Sequence, residues 1–162
     1  MNIDKLAYRK AVNHMMKKAT EMQTRAEIAS ENEPIWTEPI PFAEKKEGLQ
    51  KTTNYKTTMA IGVYCMIYKP TMTVMGIGQG NIATRIRSHL QSFRNKGKVR
   101  IDENSITHSP LGKNMYEYDK NEDNWLVEWC VLNDKELSCS YEETLQNLYE
   151  PQLNSISMAG KG

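Results

Sequence analysis

The stretch MGIGQGNIATRIRSH, residues 75–89, decides the fold because it joins a predicted strand to a predicted helix. Its glycines end the strand, and apolar residues then recur at helical spacing at Ile82, Ile86, Leu90 and Phe93. Glycines before a helix let backbone N–H groups approach an anion, which first suggests a nucleotide-phosphate loop. The glycines fit neither GxxxxGK[ST] nor a full GxGxxG. What remains is a helix whose successive turns carry Arg85 and His89 on one face.

The segments around this stretch predict a core with the order β-β-α-β-α. Residues 58–68, TMAIGVYCMIY, and 71–77, TMTVMGI, are rich in β-forming residues, and the KPT at their junction predicts a hairpin. Residues 125–132, WLVEWCVL, predict a third strand. The polar residues 102–124 predict an irregular connection, unusually long unless it is functional or mobile.

A helix predicted to begin at Ser140, in the stretch SYEETLQNLYEPQLN, closes the core. Ser140 and Glu143 form a capping box at its start, and it stops before Pro151. Glu142 is then the spare carboxylate of the first turn. Mg²⁺ is commonly held by one carboxylate together with substrate phosphate and water. The alternative is that both acids only complement the helix dipole.

The N-terminal part predicts an extension to this core. Residues 4–29 have the spacing of an amphipathic helix, whose apolar face needs a partner. That partner is the protein's own core or a second subunit, and the helix's Lys and Arg residues are also suited to nucleic-acid backbone. Residues 31–57 contain three of the six prolines and predict a connector lying over the surface. We therefore divide the chain into residues 1–57 and a domain over residues 58–162.

Composition narrows the cellular setting. The three cysteines show neither CxxC nor Cys/His ligand spacing, so neither a disulfide framework nor a zinc site is indicated. No apolar run approaches the roughly 20 residues that span a bilayer, and the N-terminus lacks an apolar signal core. We expect a soluble protein in the cytoplasm of a bacterial or phage-infected cell, with no membrane partner.

The charge is unevenly distributed along the chain. Residues 1–100 hold 17 Lys and Arg against 8 Asp and Glu, whereas residues 101–150 hold 3 against 12. Six basic residues and no acid lie between Ile82 and Ile101, which is typical of a phosphate-binding surface or of a solvated helix end. They are Arg85, Arg87, Arg94, Lys96, Lys98 and Arg100.

Each candidate for chemistry also has a plain alternative. Arg85 suits a phosphate oxygen because its planar fork donates two hydrogen bonds, but Arg85 and His89 also fit a solvated surface. Tyr64 lies in the first predicted strand, where a core position is the commoner outcome. Tyr68, four residues later, shares its face.

Taken in order, these residues resemble the GIY-YIG nuclease superfamily. Gly62-Val63-Tyr64 matches the first tripeptide, and the nine residues from Asn81 to His89 match the Asn-x-x-x-Arg-x-x-x-His helix. Glu142, Pro151 and Asn154 match the last motif. The second tripeptide departs from Tyr-Ile-Gly, since either Val74-Met75-Gly76 or Gly76-Ile77-Gly78 stands in its place without a tyrosine. Tyr68 or His89 is the candidate to compensate.

The resemblance implies an α+β fold with a small antiparallel three-stranded sheet flanked by helices. It implies a metal-dependent endonuclease for double-stranded DNA, of the restriction type or phage-encoded, with a homodimer as the arrangement that cuts both strands. The alternative is an inactive nucleic-acid-binding module on the same scaffold, and a purely structural or host-interaction protein is a third.

The same resemblance implies a role for each site residue. Tyr64 would be the general base, His89 would orient the base or the phosphate, and Arg85 would stabilise the phosphorane. Glu142 would hold Mg²⁺ or Mn²⁺, and Asn154 would support the region around it. The basic residues after Arg85 are the expected DNA contacts, together with His108, Lys113, Tyr116 and Tyr118 in the polar segment.

Overall fold

The computed structural model describes residues 5–16, 33–43, 60–95 and 110–154. These residues form a mixed α+β fold, which confirms the predicted class. In chain order the elements are α1 Lys5–Met16, β1 Ile40–Pro41, β2 Ile61–Tyr68, β3 Thr73–Asn81, α2 Ile82–Arg94, α3 Pro110–Tyr118, a 3₁₀ turn Glu122–Asn124, β4 Trp125–Val131 and α4 Lys135–Tyr149. No helix in these four ranges is both long and apolar enough to cross a bilayer.

The sheet formed by the described residues has four strands rather than the predicted three. Its order is β1-β4-β2-β3 and every neighbouring pair is antiparallel. The additional strand β1 comes from the predicted surface connector, where Ile40 pairs with Val127 and the next residue but one, Phe42, is buried. The prediction was wrong because the prolines of this segment indicate a surface connector, whereas its short apolar stretch at Ile40 and Phe42 completes the core.

The hairpin of β2 and β3 was predicted correctly, but the glycines do not end β3. The strand continues through Gly76, Gly78 and Gly80 to Asn81, which pairs with Ile61. The helix α2 begins directly afterwards, with the Asn81 side chain accepting a hydrogen bond from the backbone N–H of Thr84 at 3.1 Å. No separate loop therefore lies between this strand and the helix.

Two further predictions about regular structure were wrong. Part of the connection over residues 102–124 is helical, because α3 buries Leu111 and Met115 against the core. The last helix starts at Lys135, not at Ser140, since Asp134 caps it by accepting from the N–H of Leu137 at 3.0 Å. The capping box of Ser140 and Glu143 does not exist, and both residues lie within the helix.

Helices cover both faces of the sheet. Alternation along β2 directs Tyr64 and Met66 to the core under α2 and α3, and Val63 and Cys65 to the core under α1 and α4. The described part of the N-terminal helix thus has the protein's own core as its partner, with the ring of Tyr8 edge-on to Tyr141 at 5.2 Å. The predicted boundary between residues 57 and 58 lies outside the described residues.

Candidate active site

A buried tyrosine and histidine form the centre of the site. Tyr64 on β2 and His89 on α2 are 1% and 3% exposed, and the Tyr64 hydroxyl oxygen lies 2.6 Å from His89 Nε2. The Tyr64 ring lies over Gly78 of the neighbouring strand, where a Cβ atom would be 2.2 Å from the hydroxyl oxygen. The glycine in β3 is therefore required by the tyrosine in β2.

Both partners are neutral near pH 7. Burial raises the pKa of Tyr64 to about 12, and the charge and hydrogen-bond donation of the neighbouring Arg85 guanidinium offset this only in part. Burial, reinforced by the charge of Arg85, lowers the pKa of His89 to about 3. When the imidazole proton is on Nδ1, Nε2 accepts from the Tyr64 hydroxyl. In that tautomer the hydrogen bond directs the phenol proton at the imidazole nitrogen.

Arg85 lies between this buried pair and solvent. Arg85 is exposed and lies one helical turn before His89. Its side chain passes over Gly80, where an added Cβ atom would lie 3.5 Å from the Arg85 Cγ. Gly80 has a φ of +126°, a conformation that other residues rarely adopt. Among the described residues no carboxylate oxygen lies within the 4 Å of an ion pair from this guanidinium. The Arg85 guanidinium can therefore donate hydrogen bonds to an anion from solvent without first breaking an ion pair within the described part of the chain.

Glu142 brings the fourth side chain from α4. It is half-buried, and burial raises its pKa to about 7, while Arg85 lowers the pKa and Glu143 raises it. The charge of Glu142 also raises the pKa of Tyr64, and Arg85 affects the pKa of each of the other three groups. One strand and two helices thus bring together residues that are up to 78 positions apart in the sequence.

Asn154 contacts the backbone of β3. Its Oδ1 accepts from the backbone N–H of Ile77 at 2.9 Å, and its Nδ2 donates to the Ile77 carbonyl at 2.7 Å. The same carbonyl accepts from Gln146 Nε2 at 3.2 Å. Asn154 therefore holds the strand that carries Gly78. Gln146 was missed by the sequence analysis, although its place one turn after Glu142 on a helix was a signal.

Tyr68 is not part of this cluster. Its hydroxyl donates to Asp119 Oδ2 at 2.7 Å, and its ring packs against Tyr118 and Trp125. The four residues from Tyr64 to Tyr68 correspond to about 13 Å of strand, so a shared face does not bring the two hydroxyls together. Of the two predicted substitutes for the absent tyrosine, only His89 contacts Tyr64.

The basic residues predicted to bind DNA are partly engaged within the protein. Arg94 forms an ion pair with Glu122 at 2.8 Å, and Arg87 Nε donates to the carbonyl of Ala83 at 3.2 Å. In the polar segment, Lys113 lies 3.8 Å from Glu117, Tyr116 packs against Phe93, and Tyr118 packs against Tyr68 and Trp125. Lys96, Lys98, Arg100 and His108 lie outside the described residues.

The donor set restricts which cation the cluster could hold. Within the described ranges, no group of three or more His, Cys, Asp and Glu side chains is arranged around a common point. Glu142 is the carboxylate at the cluster, and a single carboxylate fits Mg²⁺ or Mn²⁺, which retain water and take substrate phosphate oxygens. It does not fit a structural zinc site, which needs four protein ligands.

Comparison of the chain with models of protein families, with curated proteins and with solved structures found no match.

Proposed function

We propose that the protein is a metal-dependent DNA endonuclease of the GIY-YIG superfamily. The observation that carries this proposal is the convergence of Tyr64, Arg85, His89 and Glu142, with the tyrosine hydroxyl held by a buried histidine. A phenol, a guanidinium and a carboxylate at one partly open position supply a base, a cation and a metal ligand. Hydrolysis of a phosphodiester needs each of these because the uncatalysed reaction is among the slowest known.

The tyrosine and histidine act together on the attacking water. With a pKa of about 12, Tyr64 is protonated at neutral pH and is not by itself a ready base. The Tyr64 oxygen takes a proton from water while its own proton passes to His89 Nε2. The water oxygen then bonds to phosphorus, and the bond from phosphorus to the leaving oxygen breaks. This transfer requires the pKa of His89, which is about 3 in the free protein, to rise in the complex with DNA, and the negative charge of the bound phosphate acts in that direction because it favours the imidazolium.

Arg85 and Glu142 stabilise the charge that develops at phosphorus. The exposed guanidinium donates to the non-bridging oxygens, and these hydrogen bonds strengthen as the phosphorane forms. Glu142 would hold the cation at the half-buried end of the site. When bound, the divalent ion supplies Lewis-acid stabilisation of the leaving oxygen. Glu142 must lose its proton to hold the ion, and its pKa of about 7 allows this at neutral pH.

The second candidate is a nucleic-acid-binding module without activity. The observation in its favour is that Gly78, and no tyrosine, lies opposite Tyr64 on β3. Against it stands Glu142, because a carboxylate beside a phosphate without a cation repels it. The preference for DNA over RNA, the restriction-type or phage setting and a homodimer that cuts both strands follow from the family resemblance.

Cleavage assays separate the two candidates. We would incubate the purified protein with plasmid and genomic DNA in Mg²⁺, in Mn²⁺ and in EDTA, beside the variants Glu142→Gln and Glu143→Gln. The proposal predicts discrete metal-dependent fragments that disappear with Glu142→Gln and persist with Glu143→Gln, whose parent side chain is exposed. DNA that is bound but uncut in both metals would favour the binding module.

A further inference from the structure

The carbonyl of Ile77 is shared by two carboxamides, of which only one comes from the predicted motif. β3 lies at the edge of the sheet, so its outward backbone groups need partners other than a strand. Asn154 serves both the N–H and the carbonyl of Ile77, at 2.9 and 2.7 Å. Gln146 Nε2 donates to the same carbonyl at 3.2 Å. Both backbone groups of Ile77 would therefore keep a hydrogen-bond partner without Gln146.

The two carboxamides tie different parts of the chain to β3. Asn154 lies after α4, next to Leu153, whose N–H donates to the carbonyl of Met75 at 2.9 Å. Gln146 lies within α4, so its hydrogen bond fixes the helix itself against the strand. It is also four residues after Glu142, which places both side chains on one face of the helix.

The position of this hydrogen bond on β3 is what matters for the site. The Ile77 carbonyl belongs to the peptide that leads into Gly78, over which the Tyr64 hydroxyl lies. A displacement of α4 along or away from β3 at this point changes the separation of Glu142 from Tyr64 and Arg85. Leu145 is fully buried and holds the helix on the sheet, but apolar contacts resist sliding less than a directed hydrogen bond does.

We propose that Gln146 is a positioning residue that sets the distance between Glu142 and the Tyr64–Arg85 pair through its hydrogen bond to Ile77. The proposal rests on the proposed function for its catalytic consequence. The geometry predicts that loss of the amide misplaces the carboxylate while the fold survives, because Asn154 still serves the carbonyl. A misplacement of about 1 Å is enough to lower a catalytic rate by about 10²-fold.

The test uses Gln146→Met, which keeps an unbranched side chain of similar length without the donor, and Asn147→Met as the matched control on the next, exposed residue. For Gln146→Met we expect a kcat lowered at least about 10-fold, a higher Mg²⁺ concentration for half-maximal cleavage, and a KM for DNA within about twofold of the wild type. The melting temperature should fall by less than about 3 °C. Unchanged kcat and Mg²⁺ dependence would overturn the proposal, as would equal losses in the control.

A second measurement does not depend on cleavage. The Arg85 Nε–H resonance in ¹H–¹⁵N NMR spectra reports the surroundings of the guanidinium, which include the Glu142 carboxyl. Gln146→Met should shift this resonance and Asn147→Met should not. If the wild type does not cleave DNA, the proposed function fails, and this comparison still decides the role of Gln146. An unshifted Arg85 resonance in Gln146→Met would then refute it.

Discussion

Replacing Glu142 by glutamine should stabilise the protein above pH 7 while it abolishes cleavage. Burial raises the pKa of this carboxyl from 4.5 to about 7, so the folded protein holds the proton more tightly than the unfolded chain. The cost of ionising Glu142 in the folded state is therefore absent well below pH 4.5, grows between pH 4.5 and 7, and is complete above pH 7. Glutamine has the shape of the protonated acid and never ionises.

The magnitude follows from the pKa difference. A rise from 4.5 to about 7 corresponds to about 3 kcal/mol at about 1.4 kcal/mol per pH unit. Glu142 is only half-buried, so solvent screening reduces this figure, and we expect Glu142→Gln to gain about 1–2 kcal/mol in free energy of unfolding at pH 8. For a chain of this length that gain raises the melting temperature by about 3–6 °C.

Urea unfolding of the wild type and of Glu142→Gln, in the absence of divalent ions and at pH 5 and pH 8, measures this effect. The stability difference should be present at pH 8 and mostly lost at pH 5. Glu143→Gln is the matched control, because its parent carboxylate is exposed on the same helix, and it should change the free energy by less than about 0.5 kcal/mol. A Glu142→Gln protein that is no more stable than the wild type at pH 8 would refute the reasoning.

Three further predictions concern the same site. Arg85→Lys should lower the single-turnover cleavage rate by about 10²-fold, because lysine lacks the planar fork, and a rate within threefold of the wild type would contradict the role of Arg85. Gly78→Ala should cost about 1–3 kcal/mol in urea unfolding, since its Cβ would lie 2.2 Å from the Tyr64 hydroxyl oxygen and 2.4 Å from Cζ of the same ring; in a Tyr64→Ala background, which removes the ring, the same substitution should cost less, and an equal cost in both backgrounds would exclude the clash. The cleavage rate at limiting Mg²⁺ should rise with pH through a midpoint near 7 as Glu142 ionises, and a flat profile between pH 6 and 8 would argue against Glu142 as the metal ligand.

Local patterns in the sequence were sufficient for the parts of the fold that depend on neighbouring residues. The helical spacing of α2 placed Arg85 and His89 on one face, and alternation in β2 placed Tyr64 and Tyr68 on one face, where both pack on the same core. The glycines of β3 were misread as a strand end, because glycine is a poor strand former when judged alone. Gly78 is explained only by the tyrosine ring on the adjacent strand, a contact that no local pattern encodes.

Long-range packing accounts for the remaining errors. Ser140 and Glu143 fit a capping box, but Asp134 precedes an apolar series at Leu137, Tyr141 and Leu145 that extends the helix toward the N-terminus. The chain around Phe42 carries prolines, and it forms β1 only because β4 offers a free edge. The role of Gln146 likewise depends on a partner, Ile77, that is 69 positions away in the sequence.

The outer edge of β3, whose backbone groups are partly hydrogen-bonded within the chain, limits how two copies of the chain can associate. An open edge strand is a template on which a second sheet, or an aggregating chain, adds by hydrogen bonding. The carbonyl of Met75 and both backbone groups of Ile77 are already occupied at the middle of this edge by Leu153 and Asn154. Two copies of the chain are therefore not expected to associate by continuing the sheet across β3, since Leu153 and Asn154 would first have to be displaced.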